Sequence, residues 1–157
     1  AFALRGARRV PPPTHVRGPR LRKAFMSALP LPARIFLVLG ALSAATSVAL
    51  SAAAAHMPAL QAAGASFSSA QAQQQFHSLG LVAVGLLLAR VQSRWLIASG
   101  TLMLLGTVLF CLNLYARLIW GWDAARAAVP WGGSAFILSW LVLGVGAWSG
   151  NQRDRNN

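Results

Sequence analysis

Two histidines are the side chains in this sequence best placed to do chemistry. His56 closes the run SAAAAH, and His77 opens the apolar part of QQQFHSLGL. An imidazole beside an apolar run can ligate a metal or haem, carry a proton, or anchor a helix end by bonding a carbonyl. A zinc site takes about four ligands. Here the third would be Cys111 or Asp123, and neither stands at a motif spacing. A bis-histidine haem would need both rings facing inward at one depth, and the long connection between them does not set their separation. Cys111 is the one cysteine, so the chain can form neither an internal disulfide nor a thiolate cluster. Its two acids, Asp123 and Asp154, are far apart and offer no carboxylate pair for general acid–base work. The expectation is that both histidines are structural, that no residue is catalytic, and that no metal or cofactor is held.

The elements that must carry these residues follow from composition. The chain is 56% hydrophobic and 10% charged, where soluble domains carry about 25% charged residues. That leaves too little polar surface to face water and makes an integral membrane protein the first class to test. A net charge of +12 invites a nucleic-acid reading. However, Arg5, Arg8, Arg9, Arg17, Arg20, Arg22 and Lys23, half of the fourteen basic residues, precede the first apolar run. No basic stripe is interleaved with aromatics inside a folded region, so nucleic acid is not an expected partner. Anionic lipid headgroups suit the basic tail better.

Residues 1–30 are proline-rich and cationic and are expected to be a disordered tail. Met26 is a candidate native start, which leaves open whether the preceding residues belong to the native protein. Four apolar segments follow, at about 35–56, 73–91, 95–119 and 129–148. The first is longer than the h-region of a signal peptide, about 7–15 residues, and is expected to be retained. The second is the weakest, because its strictly apolar part runs only from Leu79 to Ala89. It needs glutamines at one interface and a snorkelling Arg90 at the other. The expected fold is an all-α antiparallel four-helix transmembrane bundle over 31–150, with a short tail at 151–157.

Four spans put both termini on one side. Arg90, Arg94, Arg153, Arg155 and the N-terminal tail make that side the basic one, so both termini are expected in the cytoplasm. Trp95, Trp120, Trp122, Trp131 and Trp148 fall near span ends, as interfacial aromatics do. Trp140 lies mid-span and is expected to pack or to face lipid.

Helices in lipid associate through small residues and a few hydrogen bonds. Ser43, Ser47, Ser51 and Ala55 recur at every fourth position of the first span, and with Gly106 in the third they are expected packing positions. This topology collects His56, Gln75, His77, Asn113, Tyr115, Pro130, Gly132 and Gly133 in one layer on the non-cytoplasmic side. That layer is the candidate site, either structural or ligand-binding. Cys111, one turn deeper, is expected to act as a small hydrophobe.

These same stretches carry a resemblance. Ala55-His56, Phe76-His77-Ser78-Leu79, Leu105-Gly106-Thr107-Val108-Leu109-Phe110 through Leu114-Tyr115, and Pro130-Trp131-Gly132-Gly133 with Phe136 and Trp140 occur in this order. From about residue 35 to 148 the chain resembles the YgdD-like family of small membrane proteins, domain of unknown function 423, related to a small eukaryotic transmembrane protein. The resemblance implies four spans and a bacterial inner membrane, and it implies no reaction. The expected function is that of an interaction, assembly or accessory subunit, with the bilayer and a membrane-protein partner or a second copy as partners. A component of an oligomeric transporter or channel, and a histidine-based metal or haem module, are the alternatives.

Overall fold

The structure, a computed structural model, describes residues 29–153, with the side chains of the last helix described through Trp148. The described residues form helices joined by short turns and contain no strand. Helix α1 spans Leu31–Ala54, the short α2 Pro58–Ala62, and α3 Ala65–Leu88. Helix α4, Arg94–Gly106, runs into a π-helical segment, Thr107–Leu112, and on into α5, Asn113–Trp120. A 3-10 turn at Arg126–Ala128 leads into α6, Val129–Arg153.

Local chemistry explains the boundaries. Proline stands in the first turn of both α1 and α2, where its missing N–H would have no helical partner. Gly64 separates α2 from α3 with φ +48°, and Gly121 ends α5 with φ +67°, a left-handed conformation open to glycine at little steric cost. The Gly121 N–H closes the helix end on the Arg117 carbonyl at 2.9 Å.

Three stretches are long and apolar enough to cross a membrane: Leu31–Ala54, Arg94–Trp120 and Arg126–Trp148. Helix α3 has 24 residues too, but its first half is rich in serine and glutamine. It is also the best-covered helix. Helix α1 lies along it, with Gly85 against Ala33 and Leu37, and Gly40 against Ser78 and Leu81. Side chains of α4 and α6 cover another flank: a Cβ on Gly80 would stand 2.9 Å from the Met103 sulfur and 3.3 Å from the Trp140 ring. Helix α4 packs on α6, where Ser99 donates to the Ser139 carbonyl at 2.8 Å. Two apolar clusters result. One holds Ala33, Phe36, Leu81, Val84, Leu88, Leu96 and Met103. The other holds Leu60, Phe67, Ala70, Cys111, Tyr115 and Phe136. Along α3 the polar Gln74, His77 and Ser78 fall between them.

Two expectations change. The stretch 57–72 is not a loop. It holds α2 and the first two turns of α3, so the second long helix begins at Ala65 rather than near residue 73. After the glycine break, ASFSSAQAQ contains no residue that stops a helix. His77 therefore sits at mid-helix, with about 18 Å of helix before it and about 16 Å after it at 1.5 Å per residue. The expected tail at 1–30 lies outside the described residues except for Leu29 and Pro30. Residues 151–153 continue α6, and the remainder of the expected 151–157 tail is also outside.

Candidate functional site

His77 is 2% exposed and both of its ring nitrogens are occupied. The indole N–H of Trp140 on α6 donates to Nε2 at 3.1 Å. An indole nitrogen can only donate, so Nε2 carries no proton. Nδ1 lies 2.8 Å from the Gln73 carbonyl, which can only accept, so Nδ1 carries it. These two bonds define the neutral Nδ1–H tautomer. The ring stacks on Phe136 with centroids 3.6 Å apart and planes 17° from parallel, and Phe76 stands edge-on to it at 5.4 Å. With both nitrogens taken, the imidazole has no free lone pair for a metal.

One turn earlier, Gln74 joins three helices. Its amide nitrogen donates to the Ser43 carbonyl and the Thr46 hydroxyl of α1, both at 3.0 Å. Its carbonyl accepts the Tyr115 hydroxyl of α5 at 2.8 Å. Ser78 donates to the Gln74 backbone carbonyl at 2.6 Å, and its hydroxyl lies 2.7 Å from that of Ser43. Gln71 adds a bond to the Ser47 carbonyl at 3.2 Å. Only the Ser47 hydroxyl, among the described buried side chains, has no partner. Interhelical hydrogen bonds in membrane bundles are each worth about 0.6–2 kcal/mol. Gln74→Leu is therefore expected to lower stability by about 2 kcal/mol and Tyr115→Phe by about 1 kcal/mol. The double variant should lose less than the sum, because each change removes the same bond. Unfolding in detergent, followed by circular dichroism, measures all three; strictly additive losses would show that the two side chains are not coupled.

The structure separates the residues picked from sequence into three groups. Tyr115 and His77 belong to the buried network. Asn113 and Gly132 are buried nearby: Asn113 donates to the Ala125 carbonyl, and a Cβ on Gly132 would meet the Phe110 backbone nitrogen at 2.7 Å. His56, Gln75 and Pro130 are exposed, and Gly133 faces open space. The glutamine in the network is thus Gln74, not Gln75. Gln74 shares a helix face with Ser78 and Leu81 at spacings of four and seven, while Gln75 points away. His56 lies in the turn after α1, and the structure does not bring it to His77. No group of three or more His, Cys, Asp or Glu able to hold a metal occurs among the described residues. Of the expected packing positions, Ser43, Ser47 and Gly106 face neighbours, and Ser51 is exposed. A four-residue step turns 400°, so a series at that spacing drifts by about 40° per step and leaves a straight seam.

Sequence reasoning passed over Gln74, Ser78 and Trp140. The spacing of Gln74 and Ser78 carried the signal for the first two. No sequence signal told that mid-span Trp140 would point its indole nitrogen at a histidine on another helix. Above it a shallow cleft of about 480 Å³ is lined by Ala72, Gln73, Phe76, His77 and Trp140.

Comparison with known proteins now bears on this geometry. A family described as "Protein of unknown function (DUF423)" matches residues 50–133. A UPF0382 membrane protein of Staphylococcus saprophyticus is 31% identical over 120 residues, covering 73% of this chain and 98% of the relative. The chain belongs to this family. Two other relatives are the UPF0382 membrane protein YwdK of Bacillus subtilis, 32% identical over 73% of this chain and 96% of its own length, and the UPF0382 inner membrane protein YgdD of Escherichia coli K12, 30% identical over 73% and 89%. These names describe membrane proteins without an assigned activity, in keeping with the three apolar helices. No solved structure matches the chain. Three of the four stretches that resemble the family meet at one place in this fold, and Ala55-His56 does not join them. Phe76-His77-Ser78, Gly106 with Tyr115, and Phe136 with Trp140 together build the histidine cage and its surroundings.

Proposed function

We propose that this DUF423 chain is a four-span antiparallel bundle of the bacterial inner membrane, with both termini in the cytoplasm, and that it works by association, as an assembly or accessory subunit. The observation that carries this reading is the closed network around His77 and Gln74. It joins α1, α3, α5 and α6 with bonds already made, and so serves the bundle's shape rather than chemistry on a substrate. Counting α3 as the fourth span is supported by its length and by its partners: the polar half turns Gln71, Gln74 and Ser78 toward α1, away from lipid. Early α1 residues meet late α3 residues, which supports opposite directions. Exposed Trp120, Trp122 and Trp131 at one end and Trp95 and Trp148 at the other suit two interfacial belts.

The test is purification of the full chain from its own membranes in a mild detergent. A stoichiometric partner or a stable homo-oligomer is expected, and a strictly monomeric protein with no companion would overturn the reading. The unpartnered Ser47 hydroxyl in a polar seam favours a second reading, a pathway subunit in an oligomer. Its test is ion and solute flux in proteoliposomes, reduced by Ser47→Ala; the absence of flux for every solute tried would remove it.

A further inference from the structure

We propose that the cleft between α3 and α6 is a lateral binding site for a membrane-borne, quinone-class molecule: a flat ring with carbonyl oxygens on an apolar tail. The inference is independent of the association reading but rests on the four-span reading that places α3 in the bilayer. The cleft opens sideways, because Phe76 is 57% and Trp140 36% exposed. In a bilayer that side is hydrocarbon, so the ligand must arrive dissolved in the lipid. Two aromatic rings form a wall, Phe76 and Trp140, with centroids 5.0 Å apart and planes 38° from parallel; such a wall favours a flat ring stacked beside it. His77 lines the floor but has no free nitrogen. The remaining polar group is the Gln73 side-chain amide. It is half-buried, lines the cleft, and makes no hydrogen bond among the described residues. An amide facing hydrocarbon without a partner is costly, and a ring carbonyl supplies the acceptor for its N–H. Seven residues before Trp140, hence on the same face of α6, Gly133 has no side chain and a Cβ there would meet nothing. Gly133 is not part of the cleft's lining, and a bulky side chain there would extend along this face of α6 toward the wall. The size falls within the range of small-molecule pockets, about 300–1,000 Å³.

The probe is an azido-substituted short-tail ubiquinone, applied to the full chain in phosphatidylcholine nanodiscs and mapped by peptide mass spectrometry. Label is expected on Ala72–His77 or Trp140, and it should be displaced at least tenfold by unlabelled short-tail ubiquinone but not by oleate or added phosphatidylcholine. Gly133→Leu reaches toward the wall and should cut labelling at least fivefold with the melting curve unchanged. Gln73→Leu, on a half-exposed side chain, should weaken competition about tenfold. Label spread evenly over the apolar faces, equal displacement by oleate or phospholipid, or labelling indifferent to both substitutions would overturn the proposal.

Discussion

His77→Ala is expected to destabilise the protein by about 3 kcal/mol, the largest effect of any single polar substitution. Three losses combine. Truncating a buried ring leaves a cavity, and aromatic-to-alanine changes in cores cost about 3–5 kcal/mol. The Trp140 indole N–H loses its acceptor, and a buried unsatisfied donor costs about 1–3 kcal/mol. Phe136 loses the ring it stacks on at 3.6 Å. Imidazole is smaller than phenyl and Trp140 is partly exposed, so each loss falls below the range quoted for it and the total stays at about 3 kcal/mol. His77→Phe keeps a ring against Phe136 and should cost only about 1–2 kcal/mol, the part owed to the two hydrogen bonds. Denaturing-detergent titration in micelles, read by circular dichroism, separates the two variants. Equal stability of wild type and His77→Ala would show that the cage does not hold the helices together.

Gly40→Leu should be at least as severe, through backbone spacing. A Cβ on Gly40 would stand 2.9 Å from the Ser78 carbonyl oxygen and 3.0 Å from the Leu81 Cβ. Neither is the far end of a flexible side chain, so α1 must move off α3. Overpacking alone costs about 1–3 kcal/mol, and the shift would also stretch the bonds from Gln74 to Ser43 and from Gln71 to Ser47. A loss of about 4 kcal/mol, or failure to fold, is the expected outcome. Gly144→Leu is the control, since a Cβ there meets nothing, and it should leave the melting point within about 1 °C of wild type. If both variants behaved alike, close approach at Gly40 would not be what joins the first two long helices.

How far the sequence led depended on which force decided each feature. The apolar runs placed α1, the α4–α5 stretch and α6, because mean apolarity over some twenty residues is a strong signal. They misplaced the start of α3. Ser66, Ser68, Ser69 and the glutamines lower apolarity without lowering helix formation enough to break the helix. That eight-residue difference moved the candidate site. Measured from residue 73, His77 belongs to an interfacial layer with His56, Gln75 and Pro130; measured from Ala65, it belongs to the middle of the bundle with Gln74, Ser78 and Trp140. Tyr115 stands among the polar residues picked from sequence, while its partner Gln74 was passed over, although the face it shares with Ser78 carried the signal. The π-helical segment Thr107–Leu112 had no signature in TVLFCL. Its widened turn lies where Phe110 meets Gly132, a tertiary contact that local propensity does not encode.

The central claim is that His77 is a neutral imidazole, protonated at Nδ1, held between the Gln73 carbonyl and the Trp140 indole. Nitrogen-15 magnetic resonance of the protein labelled at its histidine rings, in bilayers, tests it directly. The account predicts an Nδ1–H signal and an unprotonated, hydrogen-bonded Nε2 for His77, unchanged by added zinc or haem, with Nε2 shifting when Trp140 is replaced by phenylalanine. An Nε2–H tautomer, an imidazolium at neutral pH, or displacement of the Nε2 signal by metal would contradict it.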